Sequence, residues 1–378
     1  MTWNWQRKNW PEFTYCKDLF YKHEKQFLLK AGSADGALKH LDEKEAEELT
    51  VDIISEEALK TSEIEGEQLN IESIRSSVRK HFGLQKDKQR PGPQEDGISE
   101  MMVHLHNTWD EQLTHDMLFH WNLMVARGRR DLTDVGQYRT HDDSMQVVSS
   151  RSGSSRVYFE APSSICVPDE MSMFIDWFNA SRNSDSMSGL SMLRAGIAHI
   201  YFESIHPFED GNGRIGRALS EKALFQCLNR PALIGLSYAI EQKRSDYYAA
   251  LNRNSYDLNV DDWLKYFCGT VLEALEISWK RIEFLIEKGK FYQKFSAILN
   301  ERQMKVVVRI FREGIDGFKG GLSADNYISI TGTSRATATR DLQDLLDKRV
   351  LTKTGKRRYT RYFLDLEFRG QKNKAHTV

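Results

Sequence analysis

Twelve consecutive residues hold most of the chemistry in this sequence: His206-Pro-Phe-Glu-Asp-Gly-Asn-Gly-Arg-Ile-Gly-Arg217. His206 is the sole histidine of the run, and imidazole is the side chain best suited to act as a general base. Gly211, Asn212 and Gly213 allow a ligand close to the backbone, and free N–H groups at a helix start form a nest for phosphate oxygens. Arg214 and Arg217 stand three apart, so on a helix both can project from one face of its first turn. Two guanidinium groups beside an anion nest suit a polyphosphate better than a lone carboxylate. Asp210, at the mouth of the turn, is placed to hold Mg²⁺ against those phosphates. A base, a metal carboxylate, a nest and two arginines are the parts that transfer of a phosphorus-centred group requires.

Gly211, Gly213 and Gly216 also satisfy GxGxxG, but the dinucleotide fingerprint needs a buried strand directly before it. Here Leu193, Ile197, Ile200 and Tyr201 recur at helical spacing, and Pro207 with two acids intervenes. A nicotinamide-binding fold is therefore disfavoured. No GxxxxGK[ST] run occurs, and His23-Glu24 lacks the second histidine of HExxH. The segment reads as helix, tight turn and helix, with Phe208 fixing the turn in the core.

The elements around it are mostly helical. Residues 1–97 read as a helical N-terminal region that opens on Trp3, Trp5, Trp10, Phe13, Tyr15, Phe20 and Phe27. Leu49, Ile53, Ile54 and Leu59 continue it at helical spacing. Gly83 to Gly97, with Pro91 and Pro93, reads as a loop. The helical core is assigned to 98–290. Inside it, two β-prone runs at 145–148 and 156–160 flank a Ser/Gly turn and predict a hairpin. Residues 296–378 read as helix, helix, Gly-containing turn, helix and basic hairpin. That order is similar to a winged helix-turn-helix. Its third helix starts at Ser334, with Ala336, Leu342, Leu345 and Leu346 inward. The fold class expected is mainly α.

At 378 residues and 40% hydrophobic, the chain can bury real cores and divides into two or three domains. No run approaches 18 apolar residues, so no membrane span is expected. Cys16, Cys166, Cys227 and Cys268 lie far apart with no CxxC, which fits a reducing cytoplasm and argues against a structural zinc site or a disulfide scaffold. The net charge of −1 hides an asymmetry, with a balance of −10 over 41–72 and +7 over 334–378. Different ends with different partners follow from that.

HPFEDGNGRIGR resembles the Fic-family signature HxFx(D/E)GNGRxxR at every specified position. The resemblance extends to Gly136-Gln-Tyr138-Arg139, the hairpin, the tryptophan-rich start and the C-terminal winged helix. It implies a protein adenylyltransferase moving AMP from ATP to a Ser, Thr or Tyr hydroxyl of a target protein, itself included. It further implies that His206 deprotonates the hydroxyl and Asp210 holds Mg²⁺. The ATP-binding set would be Gly211, Asn212, Gly213, Arg214, Ile215, Gly216 and Arg217, with Tyr247 near the adenine. Val147, Val148 and Ser149 would belong to a flap that aligns the target by strand addition. Thr61-Ser-Glu-Ile-Glu65-Gly66 resembles the family's inhibitory motif (S/T)xxxE(G/N), which implies that Glu65 pairs with Arg217. A neutralised Arg217 cannot take the γ-phosphate, and the added carboxylate repels ATP. Two other readings stay open: a DNA-binding regulator whose core senses nucleotide, and an enzyme that removes AMP. Pairing of two copies and DNA binding by the C-terminal module are likewise left open.

Overall fold

The structure, a computed structural model, describes residues 2–84, 91–142, 145–149, 156–314, 317–318 and 320–366. It is mainly helical and divides into two units. One comprises Met1–Gly36 and Ala46–Ser278, the other Ala37–Glu45 and Trp279–Val378. Among the described residues no helix is long and apolar enough to cross a membrane.

The chain begins with α1 (Tyr21–Leu38), α2 (Glu43–Ile64) and α3 (Ile71–His81). The long helical region read from the sequence is therefore interrupted at 65–70. Gly66, at φ +90°, makes the interruption, because that conformation strains any residue with a Cβ. Asn70 then caps α3 by accepting from the Ser73 N–H at 3.0 Å. Next come α4 (Pro93–Asn107) and α5 (His115–Val125). Helix α4 starts inside the stretch read as a loop, of which 85–90 lie outside the described residues. Pro93 occupies its first turn, where a missing N–H costs nothing.

Strands β1 (Gln146–Ser149) and β2 (Arg156–Glu160) pair antiparallel, with a register shift between Val147 and Val148. The tryptophan-rich start packs against them. The Trp5 indole N–H donates to the Glu160 carbonyl at 2.7 Å, and Trp3 lies edge-on to Phe159. Then follow α6 (Val167–Ser181), α7 (Ser191–Ile205), α8 (Asn212–Leu228), α9 (Leu236–Gln242) and α10 (Arg244–Asn254).

Helix α7 is buried on nearly every side, so it forms the axis of the first unit. Its N-terminus is capped by the buried Glu24, which accepts from the N–H groups of Met192 (2.8 Å) and Leu193 (3.1 Å). Burial pushes the Glu24 carboxyl up to about 7 despite those bonds. Helix α11 (Asp261–Phe295) runs on through Lys290, where the sequence reading ends the core. Gly196 lets it approach α7, since a Cβ there would lie 2.8 Å from Leu264.

The second unit contains α12 (Glu301–Arg312), α13 (Ala324–Thr331), α14 (Arg335–Asp347) and the antiparallel pair β3 (Leu351–Thr354) and β4 (Arg361–Leu364). Val306, Val307, Ile310, Tyr327, Ala338, Leu342 and Leu345 share its core. The inward alanine of α14 is Ala338, one turn before Leu342, while Ala336 is exposed.

Candidate active site

Helix α7 ends at Ile205, and His206 after it takes a left-handed backbone (φ 51°) that turns the chain. Gly211, at φ +91°, then stands at the N-terminus of α8. The loop between them is held internally. The Asn212 side chain accepts from the Phe208 N–H (2.9 Å) and donates to the Phe208 carbonyl (2.7 Å). Asn212 therefore spends its amide on shaping the turn. Phe208 is fully buried, and the Arg139 guanidinium donates to the His206 carbonyl at 2.9 Å. Asn122 secures the far side by donating to the Asp210 carbonyl at 3.0 Å.

His206, Asp210, Gly211, Asn212 and Gly213 border a cavity of about 870 Å³. Glu65, Glu203, Tyr247, Tyr248, Met145 and Phe159 complete the wall on several sides. Met145, just before β1, and Phe159 of β2 thus reach the same space as the histidine. Val147, Val148 and Ser149 lie on β1, and 150–155 fall outside the described residues.

Arg217 is 1% exposed at the second turn of α8. Its Nε donates to Thr61 Oγ1 (2.8 Å), and Nη2 donates to the Thr61 carbonyl (2.9 Å) and Glu65 Oε1 (2.8 Å). Tyr248 donates its hydroxyl to Glu65 Oε2 at 3.3 Å and to the Ile64 carbonyl at 3.0 Å. A Cβ on Gly213 would collide with Glu65 Oε1, so the carboxylate lies directly on the start of α8. Burial alone would draw the Arg217 guanidinium down, but Glu65 beside it outweighs this and holds it above its ordinary value. Arg217 Nη1 and Arg214 Nε are buried donors without a protein partner. Unmatched buried donors are costly, and here they surround a helix N-terminus that an anion would satisfy.

The structure adds partners that the sequence did not point to. Arg214 Nη1 donates to Glu67 Oε1 at 2.8 Å, and Nη2 reaches Asp210 Oδ2 at 3.3 Å. Arg129 Nη1 donates to the same Asp210 oxygen at 2.5 Å, while Asp210 Oδ1 accepts from the Gly211 N–H at 2.7 Å. Glu203 Oε2 lies 3.5 Å from His206 Nδ1. Glu203, three residues before His206, and Asp210, four before Arg214, carried a local signal, because side chains at those spacings come together on a helical turn.

Ile215, Gly216 and Tyr247 complete the expected nucleotide set. Ile215 is fully buried in the hydrophobic core, so its side chain does not contact a ligand in the cavity. Gly216 faces Glu203 and His199, since a Cβ there would lie 2.8 Å from Glu203 Oε1. Tyr247 borders the cavity, but its hydroxyl is engaged by His199 Nε2 at 2.8 Å. Burial pushes that phenol well above its ordinary range.

One turn beyond Arg217, Glu221 meets Glu57 of α2 in a fully buried pair. Burial pushes both carboxyls up, so the pair retains a proton that joins α2 to α8. Glu57 also accepts from the N–H groups of Ser237 (2.7 Å) and Tyr238 (3.1 Å).

A helical core thus presents an anion-receptive helix N-terminus with a histidine at its rim. Residues 112–224, which include His206 to Arg217, match the Fic/DOC family. Residues 3–84 match a "Domain of unknown function (DUF4172)". Over 125 residues the chain is 28% identical to "Protein adenylyltransferase fic-1" of Caenorhabditis elegans, covering 33% of this chain and 21% of that protein. It is 31% identical over 93 residues to a "Probable protein adenylyltransferase" of Aquifex aeolicus, covering 25% of each. The chain therefore spans a quarter or less of the length of these relatives.

Among solved structures, a Fic family protein from Desulfovibrio desulfuricans G20 superposes with a TM-score of 0.54 at 18% identity. That likeness covers 94% of this chain and 98% of the other and concerns the fold. A Fic domain containing signaling protein from Bacteroides thetaiotaomicron gives 0.50 at 19% identity, covering 69% and 98%.

Proposed function

We propose that the protein is a Mg²⁺-dependent protein adenylyltransferase held off by its own Glu65. His206 takes the proton of an acceptor hydroxyl on a target protein. The hydroxyl oxygen then bonds to the α-phosphorus of ATP as the bond to pyrophosphate breaks. The N-terminus of α8, Arg214 and Arg217 bind the charge on the phosphates, so catalysis is mostly positioning and charge stabilisation. Asp210 is a hard oxygen donor on the cavity wall and fits Mg²⁺ shared with substrate phosphates. Held by Asp210, the ion would neutralise phosphate charge, and Oδ2 would give up its contacts with Arg129 and Arg214 to it. The strand pair β1–β2 serves as the flap on which a target segment lies.

The observation that carries this reading is the seat of Glu65. A carboxylate of the chain lies on the start of α8 and takes Arg217, so an anionic group already occupies the place a phosphate would need. The supporting test incubates the purified protein and its Glu65→Gly variant with Mg²⁺ and each nucleoside triphosphate, followed by mass spectrometry. A gain of one AMP with ATP supports the reading. No mass gain in either protein with any nucleotide would reject it.

For the second unit, the order of three helices and a strand pair supports a winged helix-turn-helix, whose partner on this reading is duplex DNA or an acidic protein surface.

A further inference from the structure

We infer that Glu203 is a positioning residue for His206: its carboxylate keeps the imidazole proton on Nδ1 and leaves Nε2 as the base. This rests on the adenylyltransferase reading for its consequence, though not for its geometry. Glu203 lies on α7 between two histidines, four residues after His199 and three before His206. His199 has no use for it. Both His199 nitrogens are engaged, Nε2 by the Tyr247 hydroxyl at 2.8 Å and Nδ1 by Ser220 Oγ at 3.2 Å.

His206 differs. Its Nδ1 is buried without a hydrogen-bond partner, and Glu203 Oε2 stands 3.5 Å away. Glu203 Oε1 is likewise buried and unmatched. A buried potential donor and an adjacent carboxylate that is mostly buried are complementary; a small torsion closes the gap, as catalytic contacts commonly tighten when substrate binds. Gly216 keeps the space open, because a Cβ there would lie 2.8 Å from Oε1.

The charged and titratable groups around Glu203 are His199, His206, Arg217 and Tyr247. Burial works to raise the carboxyl, but the two histidines and Arg217 hold it below its ordinary value, so it is anionic at neutral pH. When the hydroxyl proton moves to Nε2, the imidazolium faces that anion and its charge is balanced.

The test uses the full chain with Glu65→Gly, and adds Glu203→Gln or Glu203→Leu. Histidine ¹⁵N NMR, with His206 assigned by loss of its signals in His206→Ala, reads the tautomer without any transfer. Nδ1–H is expected with Glu203, and a shift towards Nε2–H in both variants. The kcat for AMP transfer should fall about 10- to 100-fold, with the KM for ATP within about twofold. An Nε2–H tautomer with Glu203 present, or an unchanged tautomer and kcat in the folded Leu variant, overturns the inference. So does a rise in KM at constant kcat, which would assign Glu203 to Arg217. If Glu65→Gly alone transfers nothing, the transferase reading fails while the tautomer still decides the role of Glu203.

Discussion

Glu67 and Arg214 form an ion pair at 2.8 Å in which the arginine is only 3% exposed. It stands beside the Glu65–Arg217 pair, so both arginines of the proposed phosphate site are held by carboxylates from the same short connection, 65–70. Removing Glu67 alone should change little, because Glu65 still covers the start of α8. In the Glu65→Gly background, Glu67→Gln should lower the KM for ATP about three- to tenfold, the scale of one partly buried ion pair released. Initial rates over a range of ATP concentrations check this. An identical KM with and without Glu67 would confine inhibition to Glu65.

The Glu65–Arg217 contact makes a stronger prediction. Glu65→Gly should raise autoadenylylation by about 5- to 150-fold, the usual range for a coupling between two competing occupants of one site. The gain should depend on Arg217, so adding Arg217→Ala should return the rate to a low level. Incorporation of label from α-labelled ATP measures both.

His206→Ala should abolish transfer, by roughly 10²- to 10⁴-fold or more, with nucleotide binding largely kept. In the proposed mechanism the imidazole acts on the acceptor hydroxyl, whereas α8 and the arginines hold the phosphates. Calorimetry with ATP in the Glu65→Gly background separates binding from transfer. Retained transfer would remove His206 from the mechanism.

The buried Glu57–Glu221 pair gives the fold a pH dependence. Both carboxyls are raised, mainly by burial. In that case the folded state binds a proton more tightly than the unfolded chain. Its stabilising effect is complete below the ordinary carboxylate range and is lost as pH rises through the raised values. Glu221→Gln keeps the hydrogen bonding without an ionisable group on α8. Its melting temperature should therefore fall less than that of the wild type on going from mildly acidic to alkaline pH. Parallel curves for the two proteins would contradict a shared proton.

The sequence made the twelve-residue segment legible because its chemistry is consecutive: a helix, a Gly-rich turn and a helix carry base, acid and arginines within one short run. Glu65 was legible through a short pattern whose spacing to Thr61 places both on one face, and both indeed meet Arg217. Glu67 and Arg129 were not, because each finds its partner across distant chain positions and no local periodicity records that. Pro93 misled, since a proline that ends one helix also suits the first turn of the next. Ala336 misled because the inward face of α14 is set by Leu342 and Leu345, which bring Ala338 into line.

The last prediction concerns the second unit. Asp341, Asp344 and Asp347 share α14 with the basic residues and would repel DNA where they face outward. Asp341 is buried and accepts from Arg302 (2.9 Å) and the Tyr327 hydroxyl (3.0 Å), and Asp344 accepts from Gln303 and Lys348, while Asp347 is exposed and accepts from Gln343 at 2.8 Å. Arg340 and Gln343 remain on the exposed side, and Lys356 and Arg357 are exposed after β3. Side chains on α14 would then read bases and the basic turn would meet phosphates. Fluorescence anisotropy with random and genomic duplexes should show binding that weakens steeply with salt, since each phosphate contact releases counterions. Changing Lys356, Arg357 and Arg358 together to Ala should weaken it and lower the salt slope by about three. No salt-sensitive binding at micromolar protein, or identical binding by the triple variant, would reject DNA as the ligand and assign the basic turn to an acidic protein surface.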